Sequence, residues 1–353
     1  MFNTTEQNAT EIKRTSTAPY LYEILPNGKW AFYLDHHMLS GFSKCEGYFQ
    51  LRHYHNAHMG MVGTTARSVK KRGRAFKRDI GIWWARCLEW YYTALAQGAV
   101  KQADLCDFAE ASWKHENMDG LKADFPSSYE KFGGLIGAVQ MIADYYNFSY
   151  QFDSAHWKII AIESGFGRKR EVKIGENSKV VLYWLGRPDL FISESGRWMP
   201  LDNKTKDYIK PSHVHEFKPH PQTTGYIVAA QEIAKEKGLD VTIDRCLINL
   251  AARNAPSDNP RNGVKRPRFQ RIPISYSVAE LEEWRSRTLL KATRLRHCIE
   301  NDEWLWNEEA CHTYGGCDYR PIHAVPPNAR LIIIQSQFTV TDPWVAYEPE
   351  DDD

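Results

Sequence analysis

The chain has 353 residues, a mass of 40.9 kDa and a formal net charge of +1. This length can bury one elaborated core or two small ones, and the overall charge gives no global nucleic-acid-binding signature. No apolar run reaches the length of a membrane span, and the N-terminus lacks the apolar core of a signal peptide. Seven cysteines, an odd number, disfavour a disulfide framework. We therefore expect a cytoplasmic protein without a membrane partner.

The first part of the chain predicts a helical region that carries a basic patch. Residues 1–20 are polar and are predicted to be disordered, and residues 21–150 are predicted to be mainly helical. Seven basic residues fall within the twelve positions from Arg67 to Arg78. Such a run can follow a phosphate backbone or can simply be a solvated helix face. The candidate contacts are Lys70, Lys71, Arg74 and Lys77.

The segment from Gly186 to Lys206 carries the clearest chemical signal. It predicts two short strands joined by a tight turn, with Asp189 on the first strand. Asp202 and Lys204 are two residues apart on the second strand and therefore point to the same face. Carboxylate oxygens, together with the backbone carbonyl of Asn203, are ligands that Mg²⁺ and Mn²⁺ prefer. Such a metal can activate water for phosphodiester hydrolysis, whereas the alternative is a solvated sheet edge with incidental charges.

Further elements follow this segment in a definite order. A helix that ends near Gly238 places Gln222 and Tyr226 on one face, because they are four residues apart. The strand VTIDRCLINLA comes next, then the strand RFQRIPISYS, and then a long helix that Ser277 and Glu280 open with a capping box. Upstream, the strand WKIIAIE carries Glu163. An exposed strand glutamate is as good an explanation of Glu163 as a functional role.

This order of motifs resembles the PD-(D/E)XK nucleases, and in particular their RecB-like branch, which includes CRISPR-associated exonucleases and phage recombination nucleases. The resemblance implies an α/β fold with a mixed central sheet flanked by helices, as in restriction endonucleases. It also implies a metal-dependent DNA exonuclease of phage or bacterial origin, with a recombination or replication protein as a further partner. The active site implied by the resemblance comprises Glu163, Asp189, Asp202, Lys204, Gln222 and Tyr226.

The resemblance extends to the cysteines near both ends. Cys45 lies in a setting with Phe49 and Arg52 that is similar to the first cysteine of the iron–sulfur members of this branch. Cys311, Cys317 and His323 follow at intervals of six residues, and His323 stands where the family has its last cysteine. The four residues can hold a [4Fe-4S] cluster or Zn²⁺, because both accept thiolate and imidazole ligands. The alternative is a vestigial site with thiols packed as small apolar groups.

One position departs from the family pattern. Lys77 stands where many members carry a metal-binding histidine, and a protonated lysine cannot ligate Mg²⁺. Two alternatives therefore stay open: a nucleic-acid-binding protein of the same fold with weak or no turnover, and a zinc-stabilised interaction module. We expect the nuclease core and the Cys/His segment within residues 151–330 and a C-terminal tail over residues 331–353.

Overall fold

The computed structural model describes residues 21–54, 65–66, 75–162, 172–256, 263, 265–312 and 316–339. The chain divides into two compact units, and each is discontinuous in sequence. We call residues 71–170 and 186–281 the central unit, and residues 1–70, 171–185 and 282–353 the terminal unit. No helix of the described residues is both long enough and apolar enough to span a bilayer.

The described elements fall into runs of strands and runs of helices along the chain. The strands are β1 Tyr22–Ile24, β2 Trp30–Leu34, β3 Thr65–Ala66, β4 Lys158–Ile162, β5 Val172–Glu176, β6 Val180–Trp184, β7 Leu190–Glu194, β8 Arg197–Lys206, β9 Arg245–Ala252, β10 Phe269–Ser275 and β11 Phe338–Thr339. The helices are α1 His36–Lys44, α2 Glu46–Phe49, α3 Phe76–Ala96, α4 Gln102–His115, α5 Leu121–Asp124, α6 Pro126–Phe132, α7 Gly134–His156, α8 His213–Glu216, α9 Pro221–Glu236, α10 Val278–Asn301, α11 Glu308–Cys311, α12 Arg320–His323 and α13 Arg330–Gln337.

The central unit is built on a mixed sheet with the strand order β10-β9-β8-β7-β4. The hairpin between β7 and β8 turns at Ser195 and Gly196, whose φ angles are +50° and +78°. Positive φ at both central residues matches the twist of a two-residue hairpin, and the expected tight turn is confirmed. Strands β8 and β9 are parallel, and α9 is the helix that connects them.

Aromatic side chains fill the core between this sheet and its helices. Trp83 and Trp84 on α3 and Trp113 on α4 are fully buried. The Trp84 ring stacks on Phe269 of β10, with 6.0 Å between ring centroids. The tryptophan-rich helix is therefore core structure, because its apolar face is covered by the sheet and by its neighbouring helices.

The terminal unit has its own sheet, with the strand order β1-β2-β6-β5. Asp35 caps α1 by accepting a hydrogen bond of 2.7 Å from the backbone N–H of Met38. One feature of this unit adds to the sequence prediction of a mainly helical segment, and a second feature corrects the predicted single sheet. Strands β1 and β2 lie inside the segment predicted to be mainly helical, and β5 and β6 join this sheet although they fall within the span assigned to one mixed sheet.

The long helix α10 begins as the sequence predicts. The Ser277 backbone N–H donates to Glu280 Oε2 at 2.6 Å, and the Glu280 N–H donates to Ser277 Oγ at 3.3 Å. These two bonds are the reciprocal pair of a capping box, which satisfies two backbone donors at the helix start.

The fold as a whole is the mixed α/β architecture of a restriction-endonuclease-like core with helices on its sheet.

Candidate active site

The two carboxylates and the lysine singled out in the sequence come from one hairpin. Asp202 and Lys204 lie on β8 as predicted. Asp189 does not lie on β7 but in the bend directly before it, which corrects the predicted strand position by one residue. The bend places the Asp189 carboxylate beside β8, where its Oδ2 accepts a hydrogen bond of 2.6 Å from the Asn203 backbone N–H.

This hydrogen bond forms because the ladder between β7 and β8 stops early. Leu190 pairs with Leu201, and Asp189 then takes the place of the next strand residue by binding the backbone of Asn203. The N–H and C=O of one strand residue point to the same side of the strand. The Asn203 carbonyl therefore faces the side of Asp189, as the sequence hypothesis of a backbone ligand requires.

Helix α9 supplies the residues that hold Asp202. The Gln222 amide donates from Nε2 to Asp202 Oδ1 at 3.1 Å and to the Tyr226 hydroxyl at 3.0 Å. The Tyr226 hydroxyl donates in turn to the Arg187 carbonyl at 3.0 Å. One helix face thus connects Asp202 to the bend that carries Asp189, because Gln222 and Tyr226 are one turn apart.

Lys204 is the charge partner of Asp202. Its Nζ lies 2.7 Å from Asp202 Oδ2, and the Asp202 side chain is buried while a third of the Lys204 side chain is exposed. Burial alone would lower the pKa of Lys204, but the Asp202 carboxylate and the Asp189 carboxylate raise it above its ordinary value. Lys204 is therefore a cation at neutral pH and can stabilise negative charge on a phosphate.

The opposite face of β8 rests on a buried polar network that the sequence analysis missed. Asn249 on β9 donates to Asn203 Oδ1 at 2.8 Å and to the Tyr145 hydroxyl at 2.8 Å. The Tyr92 and Tyr145 hydroxyls are 2.8 Å apart. A single asparagine in the apolar run CLINLA was the available signal, because a fully buried polar residue needs partners.

Cys246 is a second residue near the site that the sequence analysis did not assign. It is fully buried on β9, and burial raises the pKa of its thiol well above the usual range. The carboxylates of Asp202 and Asp189 raise it further, and Lys204 lowers it. Cys246 is thus a neutral thiol that contributes an apolar wall beside the carboxylates.

The carboxylates and their surroundings fit a divalent cation. Asp202 Oδ2 is buried, and the partner that the described residues give it is the ammonium group of Lys204 at 2.7 Å. Burying a carboxylate is costly unless cations and hydrogen-bond donors compensate it, and a divalent ion would add to the compensation that Lys204 provides. Asp189, Asp202 and the Asn203 carbonyl offer the hard oxygen ligands of Mg²⁺ or Mn²⁺.

Several residues that the sequence predicts for the site lie outside the described residues or away from Asp202. Glu163, Lys70, Lys71 and Arg74 lie outside the described residues. Lys77 is exposed on the first turn of α3, and its Nζ forms an ion pair of 2.7 Å with Asp207. Lys77 therefore neutralises a carboxylate at the end of β8 and does not occupy a ligand position beside Asp202.

The Cys/His cluster, which consists of Cys45, Cys311, Cys317 and His323, belongs to the terminal unit. Cys311 Sγ lies 3.6 Å from His323 Nδ1, and the Cys45 Sγ accepts from the Tyr48 and Asn307 N–H groups at 3.4 and 3.5 Å. Burial raises the pKa of Cys317, and the nearby thiols of Cys311 and Cys45 raise it further.

A metal at this cluster is not supported by the geometry. Across the described ranges, no group of three or more His, Cys, Asp or Glu side chains is arranged to hold a metal ion. An iron–sulfur cluster or a structural zinc needs four such ligands. The metal at the Cys/His cluster therefore stays a prediction from the sequence.

The family of the chain follows from a comparison with known protein families. The model of the PD-(D/E)XK nuclease superfamily matches residues 37–322. Because that match covers most of the chain, the protein belongs to this superfamily. None of the curated proteins compared with the chain matches it. Membership makes the protein a nuclease by family and implies a nucleic-acid substrate and the Mg²⁺ or Mn²⁺ that such nucleases use.

Proposed function

We propose that the protein is a metal-dependent DNA exonuclease of the RecB-like type that acts in phage or bacterial DNA recombination, repair or processing. The observation that carries the proposal is the connected set of Asp189, Asp202, Lys204 and Gln222 at the end of the β7–β8 ladder. The motif order and the Gln-x-x-x-Tyr helix support the RecB-like type, which is the branch that includes exonucleases.

Each residue of the candidate active site has its own role in this proposal. Asp189 and Asp202, with the Asn203 carbonyl, would hold Mg²⁺ or Mn²⁺. When bound, such an ion lowers the pKa of a coordinated water and neutralises charge on the phosphate. Lys204 carries a fixed positive charge at the same face and can bind a non-bridging oxygen of the scissile phosphate. Gln222 orients the Asp202 carboxylate by donating to Oδ1, while Lys204 Nζ lies 2.7 Å from Oδ2.

A nuclease assay on two DNA topologies tests the proposal. End-labelled linear DNA is incubated with the protein and Mn²⁺, beside a closed circular DNA of the same sequence. We expect progressive shortening of the linear DNA only, and none after addition of a chelator. Asp240→Asn is a matched control for Asp202→Asn, because Asp240 is an exposed aspartate of the same unit. Equal cleavage of the circular and the linear DNA would contradict the exonuclease proposal and show an endonuclease.

A weak or inactive DNA-binding protein is the second candidate. The ion pair of Lys77 with Asp207 favours it, because the position of the family histidine then provides no metal ligand. The same assay separates the two candidates when DNA binding is measured in parallel. Binding to DNA without any cleavage in Mg²⁺ or Mn²⁺ would identify the binding protein.

A further inference from the structure

A basic pocket lies at the C-terminal end of strand β8 within the central unit. Its volume is about 470 Å³, and its lining includes Lys77, Lys131, Lys206, Lys210, Tyr208 and His213. Strand β8 leads into it, since Lys206 is the last residue of that strand. Side chains alternate along a strand, so Lys206 lies on the same face as Asp202 and Lys204, about 7 Å beyond Lys204 along the backbone.

Positive charge exceeds negative charge around this pocket. Lys77 pairs with Asp207 at 2.7 Å, and Lys206 pairs with Glu216 at 2.5 Å. Within the described part of the chain, no carboxylate pairs with Lys131 or Lys210, and both residues are exposed. Two lysine charges are therefore available to an anion at the end of the strand that carries Asp202 and Lys204.

The positive charges at the pocket also affect the pKa of His213. His213 is buried at the pocket and its pKa is lowered, first by burial. Glu216 raises that pKa, but the positive charges of Lys206 and Lys210 lower it. His213 is therefore neutral at neutral pH chiefly because it is buried, and the charges of Lys206 and Lys210 add to that effect.

The pocket is held in shape by buried polar contacts. Arg253 is buried, and it donates to Thr205 Oγ1 at 2.8 Å and to Asp207 Oδ1 at 2.8 Å. Tyr208 places its ring 5.1 Å from Lys131 Nζ, which positions that lysine by a cation–π contact. The fold thus positions Lys131 and, through Asp207, Lys77 before any ligand arrives, which lowers the ordering cost of binding.

We propose that this pocket binds a phosphate group of the nucleic-acid strand next to the phosphate that is cleaved. The inference rests on the proposed function, because it assumes that a nucleic-acid strand crosses β8 at Asp202 and Lys204. A lysine is a point-charge ligand for phosphate, and Lys131 and Lys210, which no carboxylate of the described residues pairs with, would fix the register of the strand. The phosphate is either the terminal phosphate of the strand or the next internal one.

A pair of double variants tests the site through binding. Lys131→Gln with Lys210→Gln removes the two available charges, and Lys122→Gln with Lys235→Gln removes two exposed lysine charges of the same unit outside the pocket. Both are made in an Asp202→Asn background, so that binding of short labelled DNA is measured without cleavage. We expect the pocket variant to raise Kd about tenfold and to lower the salt slope by about one unit, and the control to change Kd less than twofold.

Uncharged linkages in the DNA backbone then show which phosphate the pocket binds. A single methylphosphonate is placed at each of the first four internal linkages in turn, and a 5′-hydroxyl end is compared with a 5′-phosphate. We expect one of these changes to weaken binding in the parent protein and to have no effect in the pocket variant. Weaker binding of the DNA with a 5′-hydroxyl end identifies the terminal phosphate as the ligand. Weaker binding of a DNA with one methylphosphonate identifies the internal phosphate at that linkage. Lys131→Arg with Lys210→Arg should restore binding, which excludes a folding defect.

The outcomes separate the pocket from the activity. If both double variants weaken binding equally, or if neither does, the pocket is not a phosphate site even where the protein cleaves DNA. If only the pocket variant weakens binding while the unmutated protein cleaves nothing, the proposed activity fails and the phosphate site stands.

Discussion

The carboxylate site and the Cys/His cluster differ in how their members are held. In the carboxylate site, which comprises Asp189, Asp202, Lys204, Gln222 and Tyr226, ordinary hydrogen bonds and one ion pair connect every member. In the Cys/His cluster, His323 Nε2 is buried and has no hydrogen-bond partner in the described chain. Burial and the charge of Arg330 lower the pKa of His323 to about 4.

The difference shows which kind of site a sequence motif can define on its own. The carboxylate site is assembled by two local units, a hairpin and a strand–helix–strand crossover, and protein–protein hydrogen bonds fix its geometry before a metal binds. The Cys/His cluster brings together segments from the two ends of the chain through sulfur contacts of 3.4 to 3.6 Å, and Cys317 packs against a small apolar cluster. The first site is therefore preorganised by polar bonds, whereas the second is held by sulfur contacts and apolar packing.

The largest effect that this contrast predicts follows from Asp202→Asn. We expect cleavage of linear DNA to fall at least about a thousandfold, because a metal supplies several kcal/mol of transition-state stabilisation. Initial rates in saturating Mg²⁺ or Mn²⁺ measure the loss, and the Asp240→Asn control should keep the full rate. Digestion at the normal rate by Asp202→Asn would remove the carboxylate site from the mechanism.

The next effect concerns the Cys/His cluster. If its four residues close on a metal, as the sequence predicts, Cys317→Ser should lower the free energy of unfolding by more than about 2 kcal/mol. The measurement is denaturant unfolding, together with iron and zinc analysis of protein prepared without oxygen. If the protein contains neither iron nor zinc and Cys317→Ser is equally stable, the four residues do not form a metal site. The nuclease rate per folded molecule should stay unchanged, because the two sites are built separately.

The sequence could predict the carboxylate site because its spacing rules are local. Alternation along β8 and one helical turn on α9 place Asp202, Lys204, Gln222 and Tyr226 correctly. The position of Asp189 was one residue off because a strand ends where its ladder ends, and no residue pattern marks that point. Asn249 and the basic pocket were missed because their partners come from distant helices, whose packing no local pattern encodes.

The same contrast predicts an intermediate effect for Gln222→Ala. The substitution leaves the Asp202 ligand in place but removes the amide that orients it, so we expect a 10- to 100-fold lower rate, the usual cost of losing such support. Gln231→Ala is the matched control, because Gln231 on the same helix donates to the Ile243 carbonyl at 2.7 Å. Circular dichroism checks that both variants fold. Equal rate losses in the two variants would mean that helix α9 acts through stability alone.

The smallest effect belongs to Tyr226→Phe, which keeps the ring and removes only the hydroxyl. That hydroxyl joins Gln222 to the Arg187 carbonyl, two residues before Asp189, so its loss loosens the bend that carries the first carboxylate. A hydrogen bond of this kind contributes about 1 kcal/mol, and we expect a rate loss of about fivefold. Tyr146→Phe is the control, because its hydroxyl donates to the Val100 carbonyl at 3.1 Å outside the carboxylate site. Because the bend positions a metal ligand, Tyr226→Phe should also raise the Mg²⁺ concentration needed for half-maximal rate, whereas Tyr146→Phe should not. An unchanged metal requirement in Tyr226→Phe would show that Asp189 is held by its bond to the Asn203 backbone and not by the helix.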